Sequence, residues 1–201
     1  MQNLRKLLSD ATLEEYDLRG LKASHEEVFE ERVGSIDLKN CDFSHCVFSD
    51  VRFQATGFEN VTFQNCDLSG CSFLDCGMKK VYFRECRMMG AVFSGCVLNT
   101  VEFTDCGARY LNMTGCTLKY SRISGSNLSG GALARCKCHK TEVGNCNFSR
   151  CDFSGAQIGG FDFSTCNIEG ATWSLDGLKN VTVTTAQAME LARLLGLNIV
   201  L

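Results

Sequence analysis

From Ile36 to Trp173 the chain repeats a pattern of apolar and polar positions every five residues, and the register holds through 28 consecutive quintets. The third residue of each quintet, from Leu38, Phe43, Phe48 and Phe53 through to Phe163, Ile168 and Trp173, is apolar in all 28. The residue two before it is small or β-branched in nearly every quintet. A period of five matches neither the 3.6 of a helix nor the 2 of a flat strand, so the chain must turn after each quintet. Four quintets, each a short extended segment and a bend, close a square coil of 20 residues with the first and third residues of each quintet inside. Such coils stack as parallel strands about 4.8 Å apart, with backbone hydrogen bonds along the axis. The run from 36 to 175 then makes about seven coils and roughly 30 to 35 Å of rod. Asp, Asn, Ser and Gly crowd the other phases, as in Cys-Asp-Phe-Ser-His at 41–45 and Cys-Asn-Phe-Ser-Arg at 146–150. These residues favour turns.

A rod of this kind needs a cap at each end, because an open coil exposes unpaired backbone and an apolar interior. Residues 1–35 form the expected N-terminal cap, with a short helix over 2–9. The five-residue phase persists there through Leu13, Leu18, Val28 and Val33, while the Glu-rich stretch from Glu26 to Glu31 predicts an irregular first coil. Residues 176–201 form the expected C-terminal cap. Thr184 and Gln187 have the spacing of a capping box for a helix running to Leu195, and Gly196 is a natural stop. Met189, Leu191, Ala192 and Leu195 give that helix one apolar side. Leu197, Ile199 and Leu201 alternate beyond it like a strand. An apolar helix and strand at the end of a rod predict a homodimer joined end to end.

Composition sharpens this picture. There is no proline in 201 residues, as expected of a stacked backbone that uses its N–H groups as donors. Thirteen of the 14 cysteines occupy the first, inward phase, and Cys138 stands at a central position instead. Residues 20 apart lie above one another, so the thiols form ladders: Cys46, Cys66, Cys86 and Cys106, then Ser126, Cys146 and Cys166 on one wall, and Cys76, Cys96, Cys116 and Cys136 on another. Tetrahedral zinc needs four ligands converging on a point, usually with a C-x₂-C element, and a linear ladder does not converge. A rung spacing near 4.8 Å exceeds the roughly 3.5 to 4.5 Å between the Cβ atoms of a disulfide. The cysteines therefore read as small core residues. Large Leu111 compensates small Ala108 in the same coil by the same packing logic.

The charged start, Met1 to Asp10, lacks a signal-peptide core, and no apolar run nears the roughly 18 residues of a membrane span, so a cytoplasmic chain with reduced thiols is expected. His25, His45 and His139 have no acid and nucleophile at catalytic spacing, and Ser-Gly-Ser-Asn-Leu-Ser-Gly-Gly at 124–131 keeps the five-residue register as turns rather than forming a phosphate loop. No catalytic residue, cofactor or metal is expected. Function should lie on an outer face, as in other solenoids.

The outer faces are unequal in charge. The wall built from quintets starting at 41, 61, 81, 101, 121, 141 and 161 carries Asp42, Glu85, Glu102, Asp105, Glu142 and Asp162 against Arg84 and Arg122, a net of −4. Its neighbour, starting at 36, sets Lys39, Lys79, Lys80, Lys119, Lys137 and Lys140 against Asp37 and Glu59, a net of +4. An acidic stripe of regular spacing can imitate a phosphate backbone. The basic wall lacks aromatic residues beyond Tyr120, so direct nucleic-acid binding is not expected.

The repeated small residue, Asp or Asn, Leu or Phe, and two variable positions resemble the pentapeptide-repeat family across residues 36–175. The resemblance implies an all-β fold, a right-handed quadrilateral parallel β-helix with a short C-terminal helix. Gly-Leu-Lys-Asn-Val-Thr-Val at 177–183 and Gln-Ala-Met-Glu-Leu-Ala-Arg-Leu-Leu-Gly-Leu at 187–197 resemble the C-terminal cap of the Qnr-type quinolone-resistance members. Those are dimeric rods held to imitate duplex DNA and to bind DNA gyrase or topoisomerase IV. By that resemblance Ala188, Met189, Leu191, Ala192 and Leu195 form the dimer-facing helix, and the acidic wall meets a type II topoisomerase. Gram-negative Qnr proteins interrupt their coils with two projecting loops, whereas this chain has no insertion between 36 and 175; the mycobacterial fluoroquinolone-resistance protein also lacks loops but is more acidic. Two functions remain open: a DNA-mimic partner of a topoisomerase, protecting it from quinolones or a toxin, and a scaffold for an unrelated protein.

Overall fold

The backbone turns at every fifth residue because that residue adopts a left-handed conformation. In the computed structural model, which describes residues 3–196, φ is positive at Glu15, at Gly20 and at each fifth position up to Gly160, for example Asn40 at 54°, Asn65 at 53° and Glu85 at 52°. The region costs an L-residue about 1 kcal/mol or more, which is why Gly, Asn and Asp recur there. Many corner N–H groups are nonetheless satisfied by the next coil: Asn65 donates to the Arg84 carbonyl at 2.9 Å and Glu85 to that of Thr104 at 2.9 Å. Several second-phase Asp and Asn side chains brace the bend before it. Asp67 Oδ1 accepts from the Ser69 N–H at 3.0 Å, and Asn112 Oδ1 from the Thr114 N–H at 2.9 Å.

The coils pair in parallel with a constant offset of 20 residues, as in Leu38 with Phe58, Phe58 with Met78, Met78 with Leu98, and Leu118 with Cys138. Four longer strands, Asp37–Ser44, Gly57–Gln64, Gly77–Arg84 and Val97–Thr104, run across the edge between the basic and acidic walls. The fold is a four-walled parallel β-helix of about eight turns. One turn more than the seven expected from residue 36 onward comes from 16–35, where Leu18 pairs with Leu38, Ala23 with Phe43, Val28 with Phe48 and Val33 with Phe53. The Glu-rich stretch does not disturb this coil: Glu27 and Glu30 are exposed, Glu26 and Glu31 at the first phase meet the N-terminal helix, Glu26 Oε2 accepting from the Leu4 N–H at 3.5 Å and Glu31 Oε2 from Arg5 Nε at 3.2 Å, and Val28 and Val33 are buried.

Rings fill the interior in columns. Phe43, Phe63, Phe83 and Phe103 stack at centroid separations of 5.0, 5.1 and 4.9 Å, and Phe53, Phe73 and Phe93 at 5.0 and 4.5 Å. Neighbouring columns meet edge to face, the favoured geometry for unstacked rings. All 14 cysteines are free. In the first-phase slots the thiol reaches backbone carbonyls: Cys86 Sγ donates toward Arg84 O and Phe63 O, each at 3.3 Å. Ser126 occupies the same slot, donating to Ser124 O at 2.9 Å and accepting from the Cys106 N–H at 3.0 Å.

At the N-terminal end a helix over Leu4–Glu14, longer than the expected 2–9, buries Leu4, Leu8 and Ala11 against the first coil, and Asn3 caps it by accepting from the Lys6 N–H. Beyond the last coil, the 3₁₀ turn Leu175–Leu178 leads to a helix over Thr185–Ala192. Its capping box forms as its spacing requires, with Thr184 Oγ1 accepting from the Gln187 N–H at 3.2 Å and Gln187 Oε1 from the Thr184 N–H at 2.8 Å. The Gln187 amide also donates to the carbonyls of Phe163 and Cys166 at 2.9 and 2.8 Å, closing the rim of the last coil. The α-helix ends at Ala192, and a 3₁₀ turn over Arg193–Leu195 carries the chain to Gly196 at φ 70°.

Candidate functional site

Outward side chains on the acidic wall form straight columns because the rungs never shift. One runs Lys22, Asp42, Thr62, Tyr82, Glu102, Arg122 and Glu142, each paired with the next. Asp42, Glu85, Asp105, Glu142 and Asp162 are exposed, and Glu102 is half-buried. Their charges are not equally available. Arg122 donates through Nε and Nη2 to Glu142 Oε2 at 3.1 and 2.6 Å. Lys22, from the added first coil, stands one rung from Asp42 and lowers the wall's net charge to −3 over eight coils. Asp162 accepts from the Ser164 N–H at 2.9 Å, and Ser164, by side chain and backbone, holds its carboxyl below the usual range.

Three carboxylates cluster on two successive coils, Glu85, Glu102 and Asp105; Arg122 stands one rung from Glu102 but is turned to Glu142. Glu85 and Asp105 stand in one column at adjacent corners, at φ 52° and 53°. The Asp105 carboxylate leans into the space left by the absent side chain of Gly125, the residue above it. Beside this group Arg84 stacks on Tyr82 at 5.1 Å. Exposed carboxylates fixed to a rigid ladder present charge at low ordering cost, which suits recognition by a cationic surface. The placement of Lys22 beside Asp42 and of Arg122 beside Glu142 was readable in the sequence once the 20-residue column rule was applied to outward positions as well as inward ones.

The basic wall divides along its length. Lys39 is held by Asp37 at 2.6 Å and Asp17 at 3.4 Å, and Lys79 by Glu59 at 2.7 Å. Lys80, Lys119, Lys137 and Lys140 are exposed further along.

At the C-terminal end Ala188 and Met189 are exposed, Ala192 is half-buried, and Leu191 packs partly against the rod's interior with Trp173, Val181 and Val183. Leu195 closes the 3₁₀ turn. Leu197, Ile199 and Leu201 lie outside the described residues. The helix thus turns Leu191 inward to seal the rod and leaves Ala188 and Met189 free.

The thiols are poor candidates for chemistry. Burial pushes Cys71, Cys138 and Cys151 up to about 12 and Cys136 up to about 11, so each is protonated at neutral pH. Among the described residues, no three His, Cys, Asp or Glu side chains are placed to hold a metal ion. The histidines meet other rings across the rungs. His25 and His45, 20 residues apart, stack at 4.9 Å, and His139 meets the edge of Tyr120 at 5.9 Å. Among the described residues, no helix is long and apolar enough to cross a membrane.

Comparison with known proteins agrees with this geometry. The family model described as "Pentapeptide repeat region" matches residues 36–112 and 58–133, and that described as "Pentapeptide repeats (8 copies)" matches 133–171. No curated protein matches the sequence. Among solved structures, a trypsin-treated variant of QnrB1, a plasmid-mediated fluoroquinolone resistance protein, is 21% identical over 92% of this chain and 99% of its own, with a TM-score of 0.66. A second trypsin-treated QnrB1 variant is 22% identical over 91% of this chain and 99% of its own, with a TM-score of 0.65. At such identities the likeness is one of fold.

Proposed function

The chain belongs to the pentapeptide-repeat family, and from that premise we propose that it is a non-enzymatic, dimeric DNA mimic that binds a type II topoisomerase, DNA gyrase or topoisomerase IV, through its acidic wall. The observation that carries the reading is the Glu85, Glu102 and Asp105 group, carboxylates held on a rigid ladder in place of backbone phosphates. Protein surfaces that bind DNA are strongly positive, so a rod with fixed, regularly spaced negative charge competes for them electrostatically. Two further observations support it. The exposed Ala188 and Met189 leave apolar surface at the end of the rod for a two-fold dimer to cover, and QnrB1, whose fold this chain shares, is described as a fluoroquinolone resistance protein. Protection of the enzyme from a fluoroquinolone is the corresponding biological role.

Adding the purified protein to a gyrase supercoiling assay, with and without a fluoroquinolone, tests the proposal. Inhibition of supercoiling, or relief of the drug's effect, at micromolar protein supports it, and no effect on either sinks it. The oppositely charged basic wall favours a second reading, a scaffold for an unrelated protein partner. Reversing Glu102 and Asp105 to lysine separates the two, because a DNA mimic loses topoisomerase binding in proportion to the charge reversed.

A further inference from the structure

On the basic wall the two acids at 37 and 59 are spent at the N-terminal end, where Asp37 holds Lys39 and Glu59 holds Lys79. From Lys80 to Gly160 the outward positions of this wall contain no acid at all. Lys80, Lys119, Lys137 and Lys140 are exposed there, and none forms an ion pair among the described residues. The acids nearest on the flanking walls do not neutralise them: Glu142, just past the Lys140 corner, is taken by Arg122 at 2.6 Å. At the opposite corner stands a further cation, Arg135, whose stem passes over Gly155. The result is a flat cationic strip with Lys137 and Lys140 on one coil, Lys119 on the coil before and Lys80 two coils earlier. At about 4.8 Å per rung, it runs roughly 14 Å along the axis.

We infer that this strip is a second binding face, independent of the acidic wall, for an extended acidic segment of a partner polypeptide. The dimensions fit such a segment: in an extended chain, side chains on one face recur about every 6.7 Å, so acids at alternate positions over five residues span roughly 13 Å. The chemistry of the strip favours carboxylates over nucleic acid. Single-stranded nucleic acid needs aromatic faces for its bases, and the strip's one aromatic, Tyr120, is covered by the Lys140 ammonium at 5.3 Å and met edge-on by His139. The wall's own exposed cations here are all lysines, point charges that pair with single carboxylates, without the forked geometry that makes arginine the preferred partner of phosphate.

The test is fluorescence anisotropy with the full chain and two labelled probes, a Ser-Glu repeat peptide of about twelve residues and a duplex DNA of about twenty base pairs, at low and physiological salt. The peptide is expected to bind at low salt and to weaken as salt rises. The triple reversal K119E/K137E/K140E is expected to weaken the peptide at least about tenfold, and K79E, at a lysine already paired, by less than about twofold. Glutamate is accommodated at such corners, since Glu85 occupies one at φ 52°. Circular dichroism confirms that each variant is folded, and the neutral triple K119Q/K137Q/K140Q reads the same loss without reversal. Absence of peptide binding, indifference to both triples, or tighter binding of duplex DNA through the same lysines overturns the inference. None of these outcomes depends on topoisomerase binding.

Discussion

Phe83 is the side chain on which the rod's interior can be tested most severely. It is fully buried and lies between Phe63 and Phe103 at 5.1 and 4.9 Å with nearly parallel rings, while Phe73 and Phe93 meet it edge-on at 6.4 and 6.1 Å. Truncation of a buried phenylalanine to alanine typically costs about 3 to 5 kcal/mol, and a column locked by backbone pairing on both sides cannot collapse into the space. Loss of four favourable ring contacts places Phe83→Ala near the top of that range, about 4 to 5 kcal/mol. With a urea dependence of about 2 kcal/mol per molar, the midpoint should fall by roughly 2 M. Far-UV circular dichroism reads the whole rod, and the single tryptophan, Trp173, stacked on Phe153 at 4.6 Å, reads the last coil. Because each coil touches only its neighbours, damage in the coil of Phe83 should move the dichroism midpoint more than the Trp173 midpoint. A loss below about 2 kcal/mol, or equal shifts of both signals, would contradict the stacked-column account.

Cys106→Ser should change stability by less than about 1 kcal/mol in the same unfolding experiment, because Ser126 already satisfies its hydroxyl one rung above in an identical slot. Thr184→Ala should cost about 1 kcal/mol and lower the helical dichroism of the C-terminal cap, since the capping box loses its side-chain acceptor. Asp17 is held below its ordinary range chiefly by the Asp37 N–H donating to it at 3.0 Å, with Lys39 and Arg19 assisting. A lowered carboxyl stabilises above its unfolded value near pH 4 and loses that contribution as pH falls through the folded value. Asp17→Asn should therefore flatten the acid limb of the stability profile below about pH 4, and an unchanged limb would discount the contact.

The interior was legible from residue type alone, because one register carried both the inward rings and the inward thiols, and only Cys138 and Trp173 among the central residues are less than fully buried. The first coil was harder to read, since Glu26 to Glu31 obscures a five-residue phase that rests on only a few apolar residues such as Leu18, Val28 and Val33. Corner conformation left a partial trace: glycine and asparagine mark it, but Tyr110 and Arg135 adopt it as well, each N–H donating to a carbonyl of the next coil. On the surface, wall charge and the 20-residue columns could be read from sequence, whereas the turn of Arg122 to Glu142 rather than Glu102 and the Ser164 hold on Asp162 came only from the structure. The same vertical spacing explains the His25 and His45 stack, which residue neighbours in sequence conceal.

Binding to purified gyrase subunits, measured side by side for the unaltered chain and for E102K/D105K, tests the central claim most directly. The account predicts saturable binding by the unaltered chain, weakened by added salt and by competing duplex DNA, and at least about tenfold weaker binding by the double reversal, in keeping with charge-dependent recognition. Equal binding by both chains, or binding by neither, would contradict it.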